Sequence, residues 1–206
     1  NMKFLPTTKE EMKNLGWDSI DVLLISGDTY LDTSYNGSAL IGKWLVEHGF
    51  KVGIIAQPEV DVPDDITRLG EPNLFFAVSG GCVDSMVANY TATKKRRQQD
   101  DFTPGGVNNK RPDRAVLVYS NMIRRFFKGT TKKIVISGIE SSLRRITHYD
   151  YWTNKLRKPI LFDAKADILS YGMGEMSMLQ LATALKNGED WQNIRGLFYL
   201  SKENKE

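Results

Sequence analysis

Short apolar runs alternate with longer amphipathic segments along the chain. The runs are too short for helices and too uniformly apolar for strands with one face in water. They are typical of buried strands in a parallel sheet that is covered on both faces. They are Asp21–Ser26, Lys51–Ala56, Asn73–Ser79, Lys133–Gly138 and Ala166–Gly172, and Ile194–Leu200 is a candidate for a further strand.

The segments between these runs carry helical patterns. Ser38–Gly49, Arg114–Gly129 and Glu175–Gly188 are amphipathic, and each ends in a glycine that suits a helix C-terminus. A shorter helix is expected after Thr8, because Glu11 stands at the spacing of a capping box. The alternation predicts an α/β fold with a doubly wound, mostly parallel, Rossmann-like sheet of five or six strands.

Composition narrows the class of protein. The length of 206 residues favours one domain, and 41% hydrophobic with 26% charged residues is ordinary for a globular protein. The single cysteine, Cys82, excludes a disulfide within the chain and any site that needs several thiolates. With no signal peptide and no apolar run near the ~20 residues that span a bilayer, we expect a cytoplasmic protein with no membrane partner.

Ligands of open α/β sheets bind beyond the carboxyl ends of the strands, where the strand order reverses. Four strands are followed there by polar or glycine-rich loops, which we expect to converge on a small-molecule ligand. Neither a G-x-G-x-x-G after the first strand nor a P-loop motif occurs, which argues against a standard dinucleotide site and excludes a P-loop. The candidate ligand-binding residues are Asp28, Tyr30, Asp32, Ser34, Gly37, Ser79, Gly80, Gly81, Asp84, Ser85, Gly138, Glu140, Ser141, Arg144, Arg145, His148, Tyr149 and Asp150.

Two of these loops carry further expectations. Gly80 and Gly81 are adjacent, so their backbone N–H groups are expected to approach a ligand closely. The stretch Gly138–Trp152 combines polar and aromatic residues, which favours a loop at a domain interface or substrate mouth. Because adjacent arginines cannot share one helix face, Arg144 or Arg145 is expected to turn inward and pair with Glu140.

Basic residues concentrate in the middle of the chain, beginning with the run Lys94–Arg97. They form either a solvated surface or a face for a phosphate-bearing partner such as RNA. The polar segment Gln98–Arg114 is long for a connection, so it is either a binding loop or disordered. Cys82 follows two glycines near a helix start, which would lower its pKa; the alternative is a small buried thiol.

Several long segments of the sequence, taken in order, resemble the N-terminal region of the YgiQ-like radical SAM proteins. The resemblance runs from about Phe4 to about Gly196. The segments are SGDTYLDTSYNGSALIGKWLVEHGFKVGIIAQP, DSMVANYTATKKRRQQDDFTPGG, KRPDRAVLVY, GIESSLRRITHYDYW and KADILSYG.

This resemblance implies an accessory domain, residues 1–200, with residues 201–206 beginning a linker to a C-terminal radical SAM barrel. The barrel of such enzymes holds a [4Fe–4S] cluster on a C-x-x-x-C-x-x-C motif and binds S-adenosylmethionine. This chain lacks that motif, so it is expected to be inactive alone, with the C-terminal domain as its partner. The substrate of the family is unsettled.

In many related enzymes the preceding domain is a Rossmann-like fold that binds cobalamin, which makes cobalamin a candidate cofactor here. Domains that ligate its cobalt carry D-x-H-x-x-G after the first strand. Asp32 and Gly37 match that pattern, but Ser34 stands in place of the histidine. Either cobalamin binds without a protein ligand on cobalt, or the fold is kept and its ligand has changed.

Overall fold

The computed structural model describes residues 4–31 and 36–201. Within them the strands are short, and those of the central sheet are largely buried. In chain order they are β1 Val22–Ser26, β2 Val52–Ala56, β3 Phe75–Ser79, β4 Lys133–Ser137, β5 His148–Asp150, β6 Lys155–Arg157, β7 Ile168–Ser170 and β8 Leu197–Tyr199.

Six of these strands form one sheet in the order β2-β1-β3-β4-β7-β8. All neighbours run parallel except β8, which is antiparallel to β7. The order reverses at β1, whose two neighbours are β2 and β3, so the switch point lies between β1 and β3. Strands β5 and β6 pair as a separate antiparallel hairpin. The predicted mostly parallel, doubly wound sheet is therefore confirmed, and its sixth strand is an antiparallel edge.

Helices cover both faces of the sheet. Their apolar stripes follow the sequence pattern, and the capping box at Thr8 and Glu11 forms as predicted. The helices are α1 Lys9–Asn14, α2 Gly37–Glu47, α3 Pro63–Ile66, α4 Ser85–Asn89, α5 Ala115–Phe126, α6 Gly138–Leu143, α7 Ile160–Ala164 and α8 Glu175–Asn187, with a 3-10 turn at Pro104–Gly106.

Alternate residues of each buried strand enter two separate cores. In β1, Leu23 and Ile25 pack with α1, α3, α5 and α7, whereas Val22 and Leu24 pack on the opposite face with α2 and α8. This two-sided burial explains why the strands read as continuous apolar runs. Over residues 4–31 and 36–201, no helix has the length and apolar character that a membrane span requires.

The stretch Gly138–Trp152 is not the loop that its polarity predicts. It forms α6 and then enters the hairpin at β5. Glu140, Ser141 and Ser142 are buried, because the polar face of α6 packs against other backbone and side-chain groups of the protein. The polar residues of this stretch are therefore partly buried and hydrogen-bonded within the protein, and not all of them are exposed.

Candidate functional site

The loops that follow β1, β3, β4 and β7 meet at one cavity of about 300 Å³ at the carboxyl edge of the sheet. This is the convergence that the strand pattern predicts. Five of the candidate ligand-binding residues line it: Asp28, Gly37, Ser79, Gly81 and Gly138. The cavity is also lined by Ser26, Asn36, Ser38, Leu40, Ile41, Cys82, Ser137, Ile139, Gly172, Met173 and Glu175.

One side of the cavity is a row of serines at the last positions of adjacent strands. Ser26 of β1 is in register with Ser79 of β3, which is in register with Ser137 of β4. The Oγ of Ser26 accepts from the N–H of Asp28 at 3.1 Å, and that of Ser79 accepts from Gly81 at 3.2 Å. Since accepting leaves a hydroxyl proton free, both can donate into the cavity.

Ser137 differs from its two neighbours in the row. Its side chain is buried, lines the cavity and makes no side-chain cap hydrogen bond to α6. Among the described residues no hydrogen bond engages its Oγ. The hydroxyl is open to the cavity, where water or a ligand can take its hydrogen bond. Ser137 is not among the residues predicted from the sequence, although its position as the last residue of an apolar run was a usable signal.

Apolar side chains from two helices and a loop also line the cavity. Leu40 and Ile41 come from the first turns of α2, Ile139 from α6 and Met173 from the loop between β7 and α8. Helix α2 is capped by its own Asn36, whose Oδ1 accepts from Ala39 at 3.1 Å. The lining of the cavity thus combines hydroxyl groups with apolar side chains.

The turn after β3 is held by side chains of the protein itself. The N–H of Gly81 donates to Ser79, and the N–H of Cys82 donates to Oδ2 of Asp28 at 2.6 Å. Gly80 is in close contact with Glu140, which a β-carbon at this position would overlap. The N–H of Gly81 is thus already engaged within the protein, and the approach of these glycines to a ligand stays a prediction.

A buried arginine, whose sequence context predicts a surface charge, lies behind this turn. Nη2 of Arg111 is 2.6 Å from Oδ1 of Asp28 and 3.4 Å from Oδ2 of Asp100, and Nη1 donates to the carbonyl of Gly80 at 2.6 Å. Burial opposes its charge, but the two carboxylates outweigh burial and raise the pKa of Arg111. Nothing in the local sequence distinguishes it from its exposed neighbours.

Glu140 is fully buried. The prediction that an arginine side chain pairs with its carboxylate is wrong. Its Oε2 accepts from the N–H of Ser85 at 3.1 Å and its Oε1 from Val116 at 3.4 Å, so it joins the first turns of α4 and α5. Burial, and then the charge of Asp84, raise the pKa of Glu140. The carboxylate has a structural role because helix N-termini supply its donors.

The two adjacent arginines after α6 take other partners. Arg144 turns inward, as expected of one of the pair, but its Nη1 contacts the carboxylate of Asp84 and the carbonyl of Glu140. Arg145 donates to the carbonyl of Ser142 at 2.7 Å and stacks over the ring of Tyr171 at 4.4 Å. Asp84, the partner of Arg144, also caps α4, where it accepts from the N–H of Met86.

The other candidate residues that the structure describes do not line the cavity. His148, Tyr149 and Asp150 line a separate, smaller cleft of about 210 Å³ beside the hairpin. The hydroxyl of Tyr30 accepts from the N–H of Leu5 at 2.8 Å. Ser85 and Ser141 are fully buried, and the N–H of Ser85 is engaged by Glu140. Asp32 and Ser34 lie outside the described residues.

Most of the arginines proposed to face a phosphate-bearing partner are paired with carboxylates. The pairs are Arg96–Asp113, Arg111–Asp28, Arg114–Asp150, Arg124–Asp167, Arg125–Asp61 and Arg144–Asp84. The segment Gln98–Arg114 is also held internally, since Thr103 accepts from Gln57 at 2.7 Å. Because local pairing neutralises charge that would otherwise attract phosphates, these contacts weaken the RNA alternative.

Cys82 is exposed, which corrects the expectation of a buried thiol. Desolvation, and then the charge of Asp28, raise its pKa to about 12. The prediction that the helix start lowers the pKa of Cys82 is therefore wrong, because desolvation and the charge of Asp28 outweigh the opposing charge of Arg111. Across the described part of the chain, no group of three or more histidine, cysteine or acidic side chains could hold a metal ion.

The model of the family described as Radical SAM N-terminal matches residues 4–206. The chain belongs to this family. It is 96% identical over 205 residues to a UPF0313 protein of Fusobacterium nucleatum, and 55% identical over 206 residues to one of Thermotoga petrophila. The matches cover 100% and 98% of this chain but 36% of each relative, so the chain spans about a third of their length. The resemblance noted in the sequence is thereby confirmed.

Solved structures with a similar fold include the radical S-adenosylmethionine methyltransferase TsrM from Kitasatospora setae. One structure, with cobalamin and a [4Fe–4S] cluster bound, has a TM-score of 0.56 over 89% of this chain and 28% of that chain. Another, with tryptophan and a SAM analogue, has a TM-score of 0.57 over 88% of this chain and 28% of that chain. Since the identity is 17% in both cases, the likeness shows the fold alone.

Proposed function

We propose that this chain is the N-terminal ligand-binding domain of a radical SAM enzyme, and that its cavity binds cobalamin with no protein ligand on cobalt. The observation that carries the proposal is the row Ser26, Ser79 and Ser137, which lines the cavity at the edge where ligands of such sheets bind and in which the hydroxyl of Ser137 makes no hydrogen bond to the described residues. The [4Fe–4S] cluster and S-adenosylmethionine belong to the C-terminal part of the full-length protein.

The character of the cavity suits the benzimidazole-bearing tail of cobalamin. Its lining has a row of hydroxyl groups together with apolar side chains, which suits a planar heterocycle with acceptor atoms along one edge. The volume of about 300 Å³ is at the lower end for small-molecule sites. Ser137 and Ile139 would hold the tail, and Asp28 would remain held by Arg111. Bound cobalamin would supply a cobalt centre for methyl transfer or a related reaction.

The residues of the cavity argue against a protein ligand on cobalt. The chain has two histidines, and neither His48 nor His148 lines the cavity in the described structure. The thiol of Cys82 lines it, but its raised pKa keeps the sulfur protonated at neutral pH. Ser34 stands where histidine would stand in the D-x-H-x-x-G pattern.

A titration with hydroxocobalamin tests the proposal at Ser137. We expect Ser137→Ala to weaken binding about 5- to 10-fold, since one donated hydrogen bond contributes roughly 1 kcal/mol. Ser120→Ala is the matched control, because Ser120 is also buried with an unpartnered hydroxyl but does not line the cavity. Equal affinities of wild type and Ser137→Ala would contradict the assignment of the cavity.

The same edge carries an exposed apolar band that we propose is covered by the C-terminal part of the full-length protein. Ile139 and Met173 line the cavity, and Leu143 and Tyr149 line the neighbouring cleft. Leu156 pairs with Tyr149 across the hairpin. Their exposure runs from 43% for Ile139 to 81% for Met173. Large apolar side chains exposed in this way suit a binding surface, and the curated relatives are long enough to supply a segment that covers them.

The domain boundaries follow from this assignment. We propose residues 1–200 as one cytoplasmic domain, with residues 201–206 beginning the linker. Both faces of the sheet are covered by helices of this chain, which supports independent folding of the domain. If RNA were the partner instead, affinity for RNA would fall steeply with salt, whereas binding of cobalamin would change little.

A further inference from the structure

A buried cluster of charges lies beside the cavity, and Asp28 is the member of the cluster that lines it. The side chain of Arg111 has no exposed surface and is flanked by the buried carboxylates of Asp28 and Asp100. Buried ion pairs seldom stabilise a fold more than apolar residues of the same size would. A role in setting one local conformation is therefore the better explanation of the cluster.

The cluster holds consecutive backbone groups of the turn that forms one wall of the cavity. Arg111 donates to the carbonyl of Gly80, and Asp28, oriented by Arg111, accepts from the N–H of Cys82. Ser79 accepts from the N–H of Gly81 between them. Because Asp28, Gly81 and Cys82 all line the cavity, the position of Arg111 determines the shape of that wall.

The local sequence leaves room for the guanidinium. A β-carbon at Gly81 would lie 2.5 Å from Nη1 of Arg111, and one at Gly27 would lie 3.0 Å from the same atom. Gly81 also has a φ of +116°, a conformation that side chains rarely adopt. Glycine at these two positions thus lets the turn close around Arg111.

Hydrogen bonds join the segment that carries Arg111 to the residues that follow β1 and β2. The hydroxyl of Thr103 donates to Asp100 at 2.9 Å and accepts from Nε2 of Gln57, which follows β2. Gln57 also donates to the carbonyl of Gly27, and the N–H of Thr29 donates to the carbonyl of Phe102 at 2.8 Å. These bonds hold the segment against the switch point.

We propose that Arg111 is a positioning residue for the cavity: it orients Asp28 and the turn Gly80–Cys82 so that the cavity accepts its ligand. The inference rests on the proposed function only for the identity of the ligand. The orientation of the turn is a property of the protein alone, so it can be measured without a ligand.

The experiment compares Arg111→Lys with the control Arg125→Lys, whose ion pair with Asp61 is exposed. Amide hydrogen exchange of Cys82 reports the turn, and a hydroxocobalamin titration reports the cavity. Lysine keeps the charge but cannot contact Gly80 and Asp28 together. In Arg111→Lys we expect Cys82 to exchange at least about 10-fold faster, while amides of β1 and β3 stay protected.

The affinity for hydroxocobalamin should fall about 10-fold or more in the same variant, the size of effect that supporting residues commonly have. Unchanged exchange at Cys82 would overturn the inference, whether or not wild type binds hydroxocobalamin. Absence of binding by wild type would count against the proposed function alone. If Arg111→Lys does not fold, Asp100→Asn provides the second test, with smaller changes in the same direction.

Discussion

The N–H of Cys82 donates to Oδ2 of Asp28 over 2.6 Å, which places a carboxylate directly beside the chain's single thiol. Desolvation and this charge together raise the pKa of Cys82 to about 12. The arrangement makes an exposed cysteine unreactive at neutral pH, since the thiolate is the nucleophile. Reactivity of Cys82 therefore reports the geometry of the cavity wall.

We expect iodoacetamide to alkylate native Cys82 at pH 7.5 about 100-fold more slowly than the same residue in urea-unfolded chain. Asp28→Asn should accelerate the native reaction, because it removes the neighbouring negative charge. The measurement is the alkylation rate as a function of pH, followed by mass spectrometry. Equal rates in native and unfolded protein would show that Asp28 does not control the thiol.

Gly80 is predicted to be intolerant of a side chain. A β-carbon there would overlap Oε2 of Glu140 and would displace a carboxylate that joins α4 and α5. We expect Gly80→Ala to lower the free energy of unfolding by about 1–3 kcal/mol in urea titrations. Gly37→Ala is the control, because a β-carbon at Gly37 would point into open space. Equal stability of the two variants would contradict the close contact.

Asp150 is predicted to make the stability of the protein dependent on acid pH. Burial alone would raise its pKa, but hydrogen bonds from Thr153 and Arg114 outweigh burial and lower it to about 2. Because the folded-state pKa lies below that of the unfolded chain, the stabilisation is present above about pH 4 and is lost as the pH falls toward 2.

This contribution can be measured with Asp150→Asn. We expect the variant to be less stable than wild type by about 2 kcal/mol at pH 7, the free energy that corresponds to the lowered pKa. The difference should narrow steadily below pH 4. Asp61→Asn serves as the control, since its exposed ion pair contributes less than about 1 kcal/mol. A difference between Asp150→Asn and wild type that is independent of pH would refute the role of ionisation.

The proposed docking of the exposed apolar band predicts that a substitution within it affects the full-length protein but not the 206-residue chain. Leu156→Lys should leave the stability of the 206-residue chain unchanged, because Leu156 is 75% exposed. In the full-length protein it should speed tryptic separation of this domain from the remainder, because the lysine would weaken docking. Leu15→Lys, at the end of α1, is the control. Identical digestion of Leu156→Lys and wild-type full-length protein would place the docking surface elsewhere.

The strands and long helices could be predicted because each has its own local pattern of apolar and polar residues. Burial on both faces makes β1, β2, β3 and β4 uniformly apolar, and this pattern does not depend on distant contacts. The convergence of four loops at one edge follows from parallel strands alone. Helix α6 was missed because its polar residues are buried, which reverses the usual relation between polarity and exposure.

The contacts of the site could not be predicted to the same extent. Arg111 pairs with Asp28 across a long stretch of chain, and the local sequence around it resembles that of exposed basic residues. The sequence predicts that Arg144 or Arg145 turns inward to Glu140, yet the inward residue, Arg144, contacts the carboxylate of Asp84. Pairing of this kind depends on tertiary geometry, which a single sequence does not specify at the level of side chains.

The most direct test of the central claim is retention of hydroxocobalamin on a sizing column, by both the 206-residue chain and the full-length protein. We predict that the cofactor elutes with the protein and that its spectrum shows no histidine on cobalt. Ile139→Trp should abolish retention by filling the cavity. Elution of all colour in the small-molecule fraction, with the full-length protein as well as the shorter chain, would contradict the account.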